Sequence, residues 1–166
     1  MKKIIFLLVA TVFVTFSGLS QDKWTPHTSD LGKFTIATMG AVEEINKKDD
    51  VKTTYKINFS NGSMSYLLSS VEHHSDLEEQ IDNLLLVSLN SFKEAVDGVV
   101  TNEKDIYLGN VKGKYAVISF QEGAIKLEYY IYIKGSYQYQ LAIYAEKDSY
   151  DQEEADLVNI SFRILD

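Results

Sequence analysis

Between Asn102 and Glu146 the chain has little choice of fold. Extended stretches of alternating or β-rich residues, Asn102–Leu108, Val111–Gln121, Ala124–Lys134 and Tyr137–Glu146, are separated only by Gly109-Asn110, Glu122-Gly123 and Gly135-Ser136. Connections that short join antiparallel neighbours, because a parallel pair needs a crossover of a dozen residues or more. The last two strands are also apolar on both sides. Ile125, Leu127, Tyr129, Ile131 and Ile133 fill one face, while Tyr130 and Tyr132 occupy the other. A two-residue turn at Gly135-Ser136 would set Leu141 and Ile143 beside those tyrosines, with Tyr132 directly opposite Tyr139. A sheet with one wet face alternates more cleanly, so this sheet must be covered on both.

The covering layers are legible upstream and downstream. Gly32–Thr38 reads as a first strand and Glu43–Asp50 as a solvated loop. Val51–Ser60 and Ser63–Glu72 form a hairpin, turned by Asn61-Gly62 in the type I′ manner. Ser75-Asp76-Leu77-Glu78 has the form of a capping box. Leu77, Ile81, Leu84, Leu85, Ser88, Phe92 and Val96 then recur at helical spacing up to Gly98, a candidate left-handed cap. Leu86, Val87 and Leu89 widen that stripe and predict contact with a sheet along most of the helix. A second box, Ser149-Tyr150-Asp151-Gln152, opens a closing helix to about Asn159, and the tail Ser161–Leu165 either extends it or pairs as an edge. The expected class is α+β: an antiparallel sheet with helices packed on both faces.

Residues 1–20 do not belong to that plan. Lys2-Lys3 precede an apolar run from Ile4 to Phe16, and Gly18 and Ser20 are small residues before Gln21. This is the layout of a cleaved secretory signal peptide. The run is shorter than the roughly 20 apolar residues that span a bilayer, so the mature form is expected to lack a transmembrane anchor and to lie in the periplasm or outside the cell. Residues 21–166 then form a single domain. Cutting off two lysines and no acids takes the net charge from −8 to −10. Such a charge argues against nucleic acid, which requires a basic footprint. The absence of cysteine removes disulfides and thiolate chemistry, leaving stability to packing.

With these elements in place the chain resembles the PsbP-like family, the α/β/α sandwich of extrinsic photosystem proteins and of many exported bacterial proteins. Trp24, Gly32-Lys33-Phe34-Thr35-Ile36, the long helix ending near Phe92, the tyrosine-rich hairpin at 129–144 and Asn159-Ile160-Ser161-Phe162-Arg163-Ile164 carry the resemblance. Met39-Gly40 stands where the family often has Pro-Gly. The resemblance implies a non-catalytic accessory or binding role and transfers no functional residue.

The chemistry visible in the residues is sparse. His73 and His74 point to opposite faces of a strand and make a poor chelating pair, and His74 with Asp76 or Glu78 falls short of the usual ligand number. No Gly-x-Ser-x-Gly elbow or phosphate loop is present. The acids of Glu43-Glu44 with Asp49-Asp50, and of Asp148–Asp156, lack the spacing of a calcium loop. Neither a catalytic residue, a metal nor a cofactor is therefore assigned. Tyrosine is the informative residue type, with 11 in the chain and six from Tyr129 to Tyr144. Tyr130, Tyr132 and Tyr139 are the candidate binding residues, weighed against their use as cross-strand packing. The leading expectation is an exported, non-enzymatic, monomeric module that docks to a protein or cell-envelope component. A carrier of a small hydrophobic or glycan ligand, with its pocket between the long helix and the sheet, is the first alternative. A weak carboxylate-dependent hydrolase is the second.

Overall fold

The structure, a computed structural model, describes residues 23–166; the expected signal peptide lies outside the described residues. The meander is present with the expected register. Strands β6 (Val99–Leu108), β7 (Val111–Phe120), β8 (Ile125–Lys134) and β9 (Tyr137–Glu146) run antiparallel, and Tyr132 faces Tyr139 across the β8–β9 turn. Upstream lie β3 (Glu43–Lys48), β4 (Lys52–Ser60) and β5 (Ser65–His73). All seven strands form one sheet in the order β3-β4-β5-β9-β8-β7-β6, so the chain crosses from β5 to the far edge and returns strand by strand.

That crossing is made by α1 (Ile81–Ala95), which covers one face of the sheet. Leu85 and Leu89 are buried against Ala116, Ile118, Leu127 and Ile131, and the Phe92 ring stacks on Tyr129 at 4.0 Å between centroids. The other face carries a second layer with two parts. A small sheet sets β2 (Phe34–Thr38) between β1 (Thr25–Ser29) and β10 (Arg163–Ile164). Beside it lies α2 (Gln152–Ser161). Phe34, Ile36, Ala155, Val158 and Phe162 from this layer meet Ile57, Phe59, Tyr66, Leu68, Tyr132 and Leu141 of the large sheet. Helices thus pack on both faces, as expected, and the tail pairs as an edge.

Local details differ from the sequence reading. Glu43–Lys48 is an edge strand paired to β4, not a loop. It is exposed along its length, so no apolar alternation marks it. The first hairpin closes through residues 61–64, where Asn61 Oδ1 accepts from the amides of Ser63 and Met64 at 3.1 and 2.8 Å. This side-chain capture replaces a two-residue type I′ turn. Neither expected capping box forms. A 3-10 turn at Glu78–Gln80 precedes α1, and Asp76 Oδ1 accepts from the Glu78 amide at 2.9 Å. The N-cap of α2 is Asp151, which accepts from the Glu154 amide at 3.0 Å. Leu86 and Val87 face outward, so the apolar stripe of α1 is narrower than the run of leucines suggests.

At the end of α1 the left-handed residue is Asp97, with φ of 51°, rather than Gly98. The Gly98 amide reaches back to the Lys93 carbonyl at 2.9 Å, completing the Schellman pattern. The glycine is required for a different reason: a Cβ there would lie 2.5 Å from Ile118 Cγ2.

Candidate functional site

A side chain on β8 that alternates away from α1 must face the second layer. Lys126, Glu128, Tyr130 and Tyr132 therefore share the face opposite Ile125, Leu127, Tyr129, Ile131 and Ile133. Glu128 is 2% exposed, a position at which a lone carboxylate would be costly. It is compensated on both oxygens. Lys126 Nζ pairs with Oε1 at 3.2 Å, and the Tyr130 hydroxyl donates to Oε2 at 2.7 Å. Tyr115 and Tyr150 turn their hydroxyls toward the same carboxylate, though only Tyr130 reaches full hydrogen-bond geometry. Burial first pushes the Tyr115, Tyr130 and Tyr150 phenols above their usual range, and Glu128 second, through its charge at Tyr115 and Tyr150 and through the hydrogen bond it accepts at Tyr130.

The network extends from sheet to helix. Lys126 Nζ also donates to Gln152 Oε1 at 2.7 Å, and Gln152 Nε2 donates to Asp156 Oδ1 at 2.9 Å. The Lys126 ammonium lies 3.9 Å above the Tyr150 ring, a cation–π contact that helps hold it in place. Over this network opens a cleft of about 290 Å³ between α2 and the β6–β8 end of the sheet. Lys104, Ile106 and Tyr107 wall it on the β6 side, Gln152, Asp156 and Asn159 on the helix side, and Tyr115, Glu128, Tyr130 and Tyr132 form its floor.

The three tyrosines singled out from sequence have different placements. Tyr130 and Tyr132, 6% and 5% exposed, line the cleft. Tyr139, 1% exposed, lies deeper, near the Phe162 ring at 6.0 Å, with its hydroxyl 3.4 Å from the Lys33 carbonyl. All three are packing residues, and two of them also present an edge to the cleft. Sequence reasoning missed Glu128, Tyr115 and Asp156. The available signal for Glu128 was an acid at an inward position of a strand that is apolar on both sides.

Other candidates are accounted for by local structure. His74 Nδ1 lies 3.0 Å from the Asp50 carbonyl, and Asp49 Oδ1 accepts from the amides of Val51 and Lys52. Among the described residues no group of His, Asp and Glu has the arrangement of a metal site. Beside α1 there is a second cleft of about 250 Å³, lined by Asp82, Leu85, Leu86, Asp105, Lys112 and Lys114. Its charges are joined as Lys112–Asp82 and Lys114–Asp105 pairs, the latter at 2.9 Å. The larger cleft is thus on the α2 face, not between the long helix and the sheet.

No family model and no curated protein matches this chain. Solved structures do. The solution structure of cyanobacterial PsbP, CyanoP from Synechocystis, covers 90% of this chain and 96% of its own at 8% identity, with a TM-score of 0.56. LpqN of Mycobacterium tuberculosis, described as involved in cell envelope biogenesis, covers 87% of this chain and 91% of its own at 12% identity, with a TM-score of 0.50. A Bacteroides thetaiotaomicron protein matches at a TM-score of 0.51 and 12% identity; the match covers 81% of this chain but only 46% of that one. Identities this low speak for fold alone. With the antiparallel seven-stranded sheet and its two covering layers, they give the chain a PsbP-like fold.

Proposed function

We propose that residues 21–166 form one non-enzymatic binding module, exported by cleavage after Ser20, that docks to a protein or other component of the cell envelope. The observation that carries this reading is the mutual coverage with CyanoP, 90% of one chain and 96% of the other. The basic start, apolar run and small residues before Gln21 support export, and LpqN, of similar fold, is described as acting in the envelope. Among the described residues no helix is long and apolar enough to cross a membrane. A role without catalysis is supported by the state of the buried cleft acid: both oxygens of Glu128 are engaged, by Lys126 and by Tyr130.

Two measurements test this. N-terminal analysis of protein recovered from cell fractions should give a chain beginning at Gln21 in the envelope or medium; an intact residue 1 in the cytosol overturns export. Photo-cross-linking in intact cells from Tyr107, 67% exposed on the edge strand β6, should yield a discrete adduct. If probes at Tyr107, Leu31 and Ile160 all give none, docking is wrong.

A further inference from the structure

The cleft over Glu128 has a property independent of any docking partner. Its charges balance in number: Lys126 is paired with Glu128, and the remaining lining charges are one cation, Lys104, and one acid, Asp156, on opposite walls. A free ion would therefore gain little attraction there, and would lose its hydration on entry. What the cleft does offer is hydrogen-bonding capacity. Tyr132 and Asn159 line it, and among the described residues the Tyr132 hydroxyl and the Asn159 side-chain amide have no hydrogen-bond partner; Asp156 has one oxygen bonded to Gln152 and a second to offer. Lys104 adds an exposed ammonium, which lies 5.1 Å from the centroid of the Tyr115 ring. Donors and acceptors of both kinds thus surround aromatic rings set in a packed sheet.

From this geometry we infer that the cleft between α2 and strands β6–β8 is a binding site for a neutral polyhydroxylated molecule the size of one sugar ring. Ring hydroxyls both donate and accept, as the Asn159 amide and the tyrosine hydroxyls require. The tyrosines contribute ring edges and one unspent hydroxyl rather than an open ring face, so recognition there rests on hydrogen bonds. A volume of about 290 Å³ falls just below the roughly 300–1,000 Å³ of ligand clefts, which suits a single ring better than a chain. The site is rigid at its floor, because the Lys126–Glu128–Tyr130 network and the Lys126–Gln152–Asp156 bridge fix the rotamers beneath and beside it. Little ordering remains to be done on binding, which favours affinity from few contacts.

The test is an NMR titration of the purified protein with glucose, N-acetylglucosamine and myo-inositol, and with glucose 6-phosphate and glucosamine as charged counterparts. At least one neutral compound should give saturable shifts at Asn159 and Tyr132, with both charged compounds at least about threefold weaker. Tyr132→Phe removes the hydroxyl and keeps the buried ring, and Asn159→Ala removes the amide. Each should weaken binding by about three- to tenfold, the range for one hydrogen bond lost, with the spectrum otherwise that of the folded protein. The inference is overturned if no neutral compound saturates by about 50 mM, well beyond millimolar affinity. It is also overturned if a charged compound binds tighter, or if binding survives both substitutions unchanged. None of these results bears on the cross-linking test of docking, so the two can fail separately.

Discussion

The two faces of strand β8 are one sequence read at alternate positions, yet they are held by different physics. Toward α1 the strand presents Leu127, Ile131 and Ile133, all at most 2% exposed, and the layer above supplies Leu85 and Leu89. That face is closed chiefly by dispersion and water exclusion; the one side-chain polar atom β8 itself places there, the Tyr129 hydroxyl, is satisfied by Gln140 at 2.9 Å, and Gln138 of β9 donates to Ser88 of α1 at 2.6 Å. Toward α2 the same strand presents Lys126, Glu128, Tyr130 and Tyr132, held through an ion pair and directed hydrogen bonds. An apolar face tolerates repacking and gives no address to a ligand. A face of directed bonds loses more from a misplaced atom, and can display unspent donors and acceptors at its margin. The cleft lies on the second kind.

The sharpest way to break the comparison is to open a cavity on the α1 face. Leu89→Ala should cost about 2–5 kcal/mol, since buried leucines leave voids that close only partly. Thermal melting should show the midpoint lower by about 5–15 °C. Glu128→Gln on the opposite face should cost less, about 1–3 kcal/mol. The amide keeps a Tyr130 partner, and Lys126, partly exposed, can turn to Gln152 and water. Should chemical denaturation rank Glu128→Gln above Leu89→Ala, the division of labour between the faces would be reversed.

Alkaline pH probes the tyrosine face more gently. Burial pushes the Tyr132 phenol up to about 12, and burial with Glu72 nearby does the same for Tyr137. The native state therefore holds protons that the unfolded chain releases near pH 10. Stability from these groups is complete below pH 10 and falls as pH rises through 12. Ultraviolet titration should find the two phenols ionising about two units late, or only on unfolding; ionisation at pH 10 in the folded protein would contradict the packing described. The smallest effect belongs to neither face. Asp97→Gly relieves a left-handed residue at the end of α1 and should stabilise by about 0.5 kcal/mol or less, because Asp tolerates that region and Gly adds unfolded-state entropy. Denaturant midpoints of the two proteins would resolve it.

Much of this architecture was legible because burial writes itself into alternation. Ile125–Ile133 against Tyr130 and Tyr132 announced two covered faces, and Gly135-Ser136 set Tyr132 opposite Tyr139. Strand β3 left no such trace, since an edge strand exposed on both sides has no apolar period to show. β1, with its proline and exposed threonines, is hidden for the same reason. The capping boxes failed at the level of side-chain choice: Asp76 and Asp151 lie within each motif, and a carboxylate competes well for the same amides. The cleft was half visible. Tyr130 and Tyr132 could be placed on its floor from register, but Asp156 and Asn159 come from a helix whose docking angle no local pattern encodes.

Strand β6 has a consequence for how copies of this protein behave when concentrated. It is the free edge of the large sheet, ten residues long, with a bulge between Val100 and Asn102. A two-fold axis normal to the sheet pairs only residues on the same face, so the registers of longest overlap are centred on Glu103 or Lys104. The first sets Glu103 against its own copy; the second sets Lys104 against Lys104 and Glu103 against Asp105. Like charges directly opposed oppose pairing, and the bulge bends the edge further out of line. The alternating charges of Glu103-Lys104-Asp105 thus work as a guard against edge-to-edge pairing of two copies through β6, on a strand that must stay extended to wall the cleft.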